Sequence, residues 1–350
     1  MDNMKKNTLY IHIGCEKTGT TSIQYALSDN RELLRRQGFV YPILGNFKFA
    51  QSILPAALQH WETPLRPNAD YYPGEEPLDK EVVWNDFVSF AKENRDKNII
   101  ISSEHFSSRM VKDISLTFIH SKISELAPFF DVKVIIYLRR QDKFMESTYS
   151  TIIKAGGNLG FDDFLKTHID QDFRYNFSVI LNLWSSYFGK SSLIVKDYET
   201  EVRTGGLLNS FFDIVGVDSS KLILENKNEN VSWPSSVIEL ARFCNTPRVS
   251  SILGNHRVTF LDSITKTLPQ KERTKAYKFN SEQRNTILQR YKASNKAVEA
   301  EYFSGAPVFS ELTEEESQTD QVLSNEVGVT KQKIAELISH FYMKHKDKID

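Results

Sequence analysis

The sequence predicts a three-layer α/β fold, in which helices cover both faces of a central parallel sheet. Four short apolar runs have the length and composition of strands that are buried on both faces. Stretches with helical periodicity separate these runs, and such strand–helix alternation is typical of a parallel sheet with right-handed crossovers. With 350 residues, of which 40% are hydrophobic, the chain is long enough to bury such a core.

Each element of this fold has its own signal in the sequence. The first strand is predicted over residues 9–13, where β-favouring residues precede a glycine loop and a helical pattern. Continuous apolar runs predict the other three strands, at residues 98–102, 132–138 and 192–196. Apolar residues at helical spacing predict the intervening helices, at residues 82–93, 114–127, 142–154 and 175–187.

One domain is predicted over residues 1–310, followed at 311–350 by an acidic linker and an amphipathic helix, a helical C-terminal extension. Residues from about 42 to 80 interrupt the domain with six prolines and with Trp61, Tyr71 and Tyr72. A long irregular insertion of this kind is usually functional or mobile. We therefore expect this stretch to contribute to function or to tuck its aromatic side chains into the core.

The composition excludes several classes of protein. The 44 basic and 45 acidic side chains leave a formal charge of −1, which argues against binding nucleic acid by bulk charge but leaves room for a local basic pocket. Two cysteines, Cys15 and Cys244, cannot form a disulfide framework and indicate a reducing compartment. No apolar window approaches the ~20 residues of a membrane span. These features lead us to expect a cytoplasmic protein.

The loop after the first strand is nearly a nucleotide-binding P-loop. Gly14 and Gly19 are separated by four residues, and Thr20 and Thr21 follow. Glycines let the backbone curl tightly, so that N–H groups at the start of the next helix point at one anion. Thr20 stands where a P-loop has its lysine, and Lys17 lies three residues earlier. The loop thus predicts an anion site with a cation inside it.

Residues 11–24 read Ile-His-Ile-Gly-Cys-Glu-Lys-Thr-Gly-Thr-Thr-Ser-Ile-Gln. This segment resembles the 5′-phosphosulfate loop of sulfotransferases, and of bacterial ones in particular. The resemblance implies a P-loop-like α/β fold and transfer of a sulfuryl group from 3′-phosphoadenosine 5′-phosphosulfate (PAPS), used as a co-substrate. It also implies that six residues bind the 5′ end of that donor: Lys17, Thr18, Gly19, Thr20, Thr21 and Ser22.

A second motif follows the third predicted strand. Arg139 and Arg140 end that strand, and Ser147 lies on the next helix, eight residues after Arg139. An arginine fork and a serine hydroxyl can bind one phosphate if the helix folds back beside the strand end. The pair resembles the 3′-phosphate motif of sulfotransferases, which implies that role for Arg139 and Ser147. Arg140 either shares it or pairs with a carboxylate. A weaker resemblance to the same family extends over roughly residues 8–310.

Sulfuryl transfer, like phosphoryl transfer, needs donors and a cation for the leaving group and a base for the acceptor. Backbone N–H groups and Lys17 meet the first two needs, so no metal is expected. Glu104, at the end of the second predicted strand, resembles the catalytic glutamate of carbohydrate sulfotransferases. His105 is the second candidate, since small-molecule members of the family have a histidine nearby. Alternatively Glu104 caps a helix. His12 lies either beside the site or in the core.

The resemblance favours an acceptor hydroxyl on a carbohydrate or glycoconjugate, over which the aromatic residues of the 42–80 stretch would form a lid. Two other functions remain open. An ATP- or GTP-dependent kinase would use the same scaffold, but the lysine after Gly19 and an Asp at the end of the third strand are both missing. A non-catalytic nucleotide-binding protein would leave Lys17 and Glu104 idle.

Overall fold

The computed structural model describes residues 6–45, 48–62, 78–169, 173–224, 233–268, 270 and 279–312. By its internal contacts the chain divides into two compact units. The first unit comprises Met1–Arg140, Phe173–Lys227 and Lys292–Ser310. The second comprises Gln141–Asp172, Asn228–Tyr291 and Glu311–Asp350. The predicted C-terminal extension lies outside the described residues, apart from residues 311 and 312.

A parallel sheet of five strands forms the centre of the first unit, which confirms the predicted fold class. Its strands are β1 (Asn7–His12), β2 (Phe39–Val40), β3 (Asn98–Ser102), β4 (Phe130–Leu138) and β5 (Leu193–Asp197). They lie in the order β2-β3-β1-β4-β5, and every pairing is parallel. The two-residue strand β2 was missed by the sequence prediction, because so short a segment carries no periodicity.

Strand β1 lies in the middle of this sheet. Ile11 pairs with Ile101 of β3 on one side and with Val134 of β4 on the other. All three side chains are at most 1% exposed. Apolar side chains buried on both faces of the sheet explain why these strands read as continuous hydrophobic runs instead of alternating ones.

Fifteen helices are described. The first six are α1 (Thr20–Asp29), α2 (Arg31–Arg36), α3 (Ile53–Glu62), α4 (Lys80–Glu93), α5 (His105–Arg109) and α6 (Asp113–Ser124). The next five are α7 (Gln141–Lys154), α8 (Phe161–His168), α9 (Phe177–Phe188), α10 (Tyr198–Thr204) and α11 (Leu207–Val215). The last four are α12 (Ser235–Cys244), α13 (Pro247–Leu253), α14 (Arg257–Thr267) and α15 (Ser281–Tyr302). Helices α7, α8 and α12 to α14 belong to the second unit.

Helices α1 and α11 cover part of the sheet in the first unit. Ile23 of α1 and Phe211 of α11 belong to one buried cluster with Ile100, Ile135 and Tyr137 of the sheet. Apolar residues at three- and four-residue spacing give each helix the stripe that packs there. This packing holds α1, and with it the loop that precedes α1, against the strands.

A second buried group of the first unit is aromatic. Trp84 of α4 and Trp184 of α9 both meet Phe106 of α5 edge to face, with ring centroids 6.4 and 6.1 Å apart. The Trp84 indole N–H donates to the carbonyl of Leu54 at 3.1 Å. Edge-to-face contacts suit the quadrupoles of the rings, so the group fixes the orientation of α5 as well as burying area.

Part of the stretch that we expected to be irregular is helical. Helix α3 buries Leu54, Ala57 and Leu58 at helical spacing. Pro55 lies in its first turn, where the backbone N–H groups need no partner within the helix. Residues 46–47 and 63–77, with Tyr71 and Tyr72, lie outside the described residues, as does the side chain of Trp61. The lid therefore stays a prediction.

An ion-pair cluster lies in the second unit. The Arg284 guanidinium, 1% exposed, donates to the carboxylate of Asp142 and, at 2.9 Å, to Glu146 Oε1. The same Glu146 oxygen accepts from the backbone N–H of Phe279 at 2.9 Å. Burial raises the pKa of Glu146, and the Arg284 charge opposes that rise. Removing one partner from such a cluster would leave an uncompensated buried charge. The cluster ties α7, which carries Ser147, to the start of α15.

Both cysteines are buried free thiols, and burial raises the pKa of each, that of Cys244 to about 11. Neither is therefore an activated thiolate. Among the described helices, none is both long and apolar enough to cross a membrane.

We expect Trp84→Ala to lower the free energy of unfolding by about 3–5 kcal/mol, because it leaves a cavity and removes the hydrogen bond to the Leu54 carbonyl. Chemical denaturation followed by circular dichroism measures the loss. Val82→Ala on the same helix is the control, because Val82 is 56% exposed and its loss should cost less than about 0.5 kcal/mol. Equal losses in the two variants would contradict the assigned core.

Candidate functional site

The loop between β1 and α1 bends through three left-handed residues. Gly14, Lys17 and Gly19 have φ angles of 56°, 66° and 71°. Glycine adopts this region freely, but a side chain at Lys17 is strained there. Among the described residues, only Lys17 and Ser304 have a positive φ without being glycine. Such strain is often found at functional sites.

The two glycines are required by packing as well as by φ. A Cβ atom at Gly14 would lie 2.7 Å from Thr20 Cγ2 and 3.3 Å from the Cα atom of Glu104. A Cβ atom at Gly19 would lie 2.4 Å from Leu207 Cδ2. The loop therefore lies directly against the segment that follows β3, which brings Glu104 next to the loop.

The loop leads directly into a helix N-terminus. Helix α1 begins at Thr20, and Gly19 has no side chain with which to cap the N–H groups of the first turn. Thr18 and Thr20 are buried, Thr21 is half-buried and Ser22 is exposed. The Thr18 hydroxyl donates to the carbonyl of Cys15 at 2.7 Å, which closes the loop on itself. These predicted loop residues thus form one continuous structure at the end of β1.

Arg139, the first residue after β4, stabilises the strained loop residue. Its guanidinium donates from Nη1 to the Lys17 carbonyl at 2.8 Å and from Nε to Glu199 Oε1 at 3.0 Å. It also lies 5.3 Å from the centre of the Tyr198 ring, a cation–π distance. The arginine that the sequence assigned to a phosphate therefore also connects β4, the loop and α10.

Arg140 makes contacts of its own within the first unit. Its side chain is buried and donates to the carbonyl of Ser310 at 3.2 Å, while its backbone N–H lies 3.5 Å from Glu199 Oε2. Ser147 lies in α7, which belongs to the second unit. The convergence of Arg139 and Ser147 on one phosphate stays a prediction.

Charges of both signs surround Lys17. Burial lowers the pKa of Lys17, Glu16 and Glu104 raise it, and Arg139 and Arg174 lower it further. Arg174 also donates to Glu16 Oε2 at 2.8 Å. Three cations and two carboxylates thus act on one another at this end of the sheet, within a chain whose formal charge is only −1.

Glu104 and His105 follow β3. Glu104 occupies the N-cap position of α5, but its side chain accepts no capping hydrogen bond. Instead its Oε2 accepts from Gln24 Nε2 at 2.8 Å. His105 is 8% exposed, and burial lowers its pKa while the Glu104 charge opposes the shift. The Glu104 side chain therefore does not cap α5. Which of the two side chains acts as base stays a prediction.

His12 lies in the core, directly beneath this group. It is completely buried, and its Nδ1 lies 2.8 Å from Ser102 Oγ. Its Nε2 has no hydrogen-bond partner among the described residues, and its ring meets those of Tyr137 and Phe211 edge to face. Burial lowers the pKa of His12 to about 3, so the ring is neutral at pH 7.

Three further residues belong to this site, and the sequence did not predict them: Gln24, Ser102 and Arg174. A signal existed for Gln24, because it lies one helical turn after Thr20 and thus on the same face of α1. No sequence pattern connects Arg174 to the loop 158 positions earlier. Within the described residues, no group of three His, Cys, Asp or Glu side chains is arranged to hold a metal ion.

No protein-family model matches the chain. A protein of Archaeoglobus fulgidus described as uncharacterized is 25% identical over 271 residues, which cover 72% of this chain and 68% of that protein. Sulfotransferases are among the solved structures that are similar to this chain. The sulfotransferase of Alicyclobacillus acidocaldarius is 13% identical, with a TM-score of 0.36, and the match covers 71% of this chain and 96% of that one.

Two further similar structures are domains of larger systems. The sulfotransferase domain of the Synechococcus PCC 7002 olefin synthase is 12% identical, with a TM-score of 0.30, over 83% of this chain and 98% of its own. The sulfotransferase domain of the curacin biosynthetic pathway is 13% identical, with a TM-score of 0.36, over 82% and 98%. At identities of 12–13% and TM-scores of at most 0.36, these similarities say nothing about the activity of this chain.

We expect Gly14→Ala to lower the free energy of unfolding by roughly 2–4 kcal/mol, the sum of left-handed strain and overpacking against Thr20 and Glu104. Gly38→Ala is the matched control, because Gly38 has φ 84° and nothing within 4 Å of its added Cβ atom. That control should show the strain alone, about 1–2 kcal/mol. Urea denaturation of both variants measures the difference, and its absence would contradict the close approach of the loop to β3.

The buried His12 predicts how stability depends on pH. Its pKa is about 3 in the folded chain, against 6.5 for an unperturbed histidine, so between these values the unfolded chain binds a proton that the folded chain does not. Stability should therefore fall as the pH drops below about 6.5, by up to roughly 1.4 kcal/mol per pH unit. His12→Asn, whose Oδ1 replaces Nδ1 as an acceptor, should remove the contribution of His12 to that slope.

Urea midpoints between pH 4.5 and 7.5 measure the slope, and the value at pH 7.5 gives the pH-independent cost of the substitution. The pKa of His105 is also lowered by burial, and this contributes equally to both proteins, so the difference between them isolates His12. Parallel pH profiles for the wild type and His12→Asn would show that His12 is not buried as a neutral ring.

Proposed function

We propose that this chain is a sulfotransferase, which transfers a sulfuryl group from PAPS to a hydroxyl group of an acceptor. The observation that carries the proposal is the loop at residues 14–19: a glycine cradle with a left-handed lysine inside it, placed between a helix N-terminus and a strand-end glutamate. The resemblance of residues 11–24 to a phosphosulfate loop supports PAPS as the donor.

The chain's own groups fit the 5′ end of such a donor. The cradle excludes side chains at Gly14 and Gly19, and the uncapped first turn of α1 leaves N–H groups for an anion. When bound, PAPS would supply an activated sulfuryl group on a phosphate leaving group. Lys17 would then neutralise the charge that develops on the leaving oxygen, with Thr18 to Ser22 as the surrounding donors.

Arg139 and Ser147 are the proposed ligands of the 3′-phosphate. A guanidinium carries five N–H donors, and the bonds to Glu199 and to the Lys17 carbonyl use two of them. The remaining donors of Arg139 would bind the phosphate while the existing bonds keep the guanidinium in place. Arg139 would thus connect both ends of the donor, one through its own charge and one through the backbone of Lys17.

Glu104 is the proposed base. Its charge acts on Lys17, so it belongs to the same electrostatic group as the proposed cation, and a base must lie within hydrogen-bond reach of the acceptor hydroxyl. His105 is the alternative base. A glutamate at this position, together with the family resemblance, supports a carbohydrate or glycoconjugate as acceptor.

Radiolabelled PAPS and a panel of sugars, phenols and amines test the reaction. We expect Lys17→Met to lower the transfer rate by about a hundredfold or more, because a charge developing in the transition state loses its partner. Lys92→Met is the control, since Lys92 is a half-buried lysine far along the sequence from the loop and paired with Glu125. Glu104→Gln and His105→Gln, compared at one pH, identify the base by which of them abolishes turnover.

Calorimetry distinguishes the other two functions. Metal-independent binding of adenosine 3′,5′-bisphosphate, weakened in Arg139→Ala and Ser147→Ala, is the result expected for a sulfotransferase. A preference for magnesium-ATP that ignores Arg139 would favour a kinase. Binding of the bisphosphate with no acceptor ever modified would favour a non-catalytic protein, and sulfation of phenols or amines alone would overturn the carbohydrate acceptor.

A further inference from the structure

We propose that Gln24 is a positioning residue, which holds the Glu104 carboxylate ready for catalysis through a directional chain of hydrogen bonds. The inference rests on the proposed function, because it assigns Gln24 a role toward the proposed base. Gln24 extends from α1, is 1% exposed, and its amide nitrogen lies 2.8 Å from Glu104 Oε2. Helix α1, which begins at the loop of residues 14–19, therefore also contacts the proposed base.

The chain of hydrogen bonds has a definite direction. A carboxylate can only accept, so the amide group must present its nitrogen to Glu104, and its oxygen faces away. The same nitrogen lies 3.4 Å from Ser102 Oγ, which can take its second hydrogen. The Ser102 hydroxyl hydrogen is then available to His12 Nδ1, 2.8 Å away. In the tautomer with the proton on His12 Nε2, Gln24 thus donates to Glu104 and Ser102, and Ser102 donates to His12.

The far end of the chain is fixed by the sheet. His12 and Ser102 are register partners in the paired strands β1 and β3, and both are completely buried. The backbone N–H of Ser103 donates to the His12 carbonyl at 3.1 Å, so the pairing continues one residue further. Because burial keeps the His12 ring neutral at pH 7, the chain carries no charge that could change during turnover. It holds a carboxylate in position instead of relaying protons.

This arrangement divides the work of the two carboxylate oxygens. The amide of Gln24 binds Oε2 and so fixes the orientation of the carboxylate. Oε1 is then the oxygen assigned to the acceptor's hydroxyl proton. The titratable groups whose electrostatics involve Glu104 are Lys17 of the loop, His105 of α5 and Tyr41 after β2. None of these three is altered by a substitution at Gln24.

Two substitutions of similar shape test the proposal. Gln24→Met removes both amide hydrogens and should lower kcat by about tenfold or more, because a misplaced base costs rate. Gln24→Glu places a second carboxylate against the first and should lower kcat further. The Kd for adenosine 3′,5′-bisphosphate should stay within about twofold, because the loop backbone is unchanged.

Gln51→Met is the matched control. Gln51 is also a completely buried glutamine, and its amide bonds to backbone groups, donating to the Pro42 carbonyl at 2.7 Å and accepting from the Ser102 N–H at 2.8 Å. Its loss should lower thermal stability about as much as that of Gln24 while leaving kcat within about twofold. An equal loss of kcat in Gln51→Met would overturn the proposal, because general loosening would then explain the effect.

The outcomes separate this inference from the proposed function. Transfer activity that Glu104→Gln abolishes but Gln24→Met leaves unchanged in rate would overturn the role of Gln24 alone. Complete inactivity of the wild type toward every acceptor, with no binding of the bisphosphate, would overturn the proposed function and this inference with it. A lower kcat accompanied by an equally weakened bisphosphate Kd would also overturn it, because Gln24 would then support the loop instead of the base.

Discussion

The parallel pairing of β1 with both β3 and β4 is the constraint on which the candidate site depends. Because all three strands run in the same direction, their carboxyl ends lie at the same edge of the sheet. The loop of residues 14–19 follows β1, Glu104 follows β3 and Arg139 follows β4. Residues more than 120 positions apart are brought together in this way by apolar side chains that have no part in the chemistry.

The loop is held in a strained conformation by the elements around it. A left-handed lysine costs energy by itself, and the Arg139 bond to its carbonyl together with the packing of α1 and α11 offsets that cost. Arg139 is therefore needed for the shape of the loop as well as for charge. A substitution of Arg139 would therefore change both the shape of the loop and the local charge.

Local charge in this chain is unrelated to its net charge. Three cations, of Lys17, Arg139 and Arg174, meet carboxylates at one edge of the sheet, where ion pairs join Arg139 to Glu199 and Arg174 to Glu16. Burial lowers the pKa of Lys17, and the neighbouring carboxylates of Glu16 and Glu104 raise it again in part. An anion entering this group would interact with cations that are already oriented, which requires little reorganisation.

The fold class, the glycine loop and the strand-end positions of Glu104 and Arg139 could be predicted from the sequence. Continuous apolar runs indicate burial on both faces, and glycine spacing indicates backbone shape, so both are local properties of the sequence. Three contacts become visible only in the folded chain: Arg139 binds the loop carbonyl, His12 packs in the core beside Ser102, and Gln24 reaches Glu104. These contacts join residues 80 or more positions apart, and they depend on strand order and helix rotation, which no local pattern encodes.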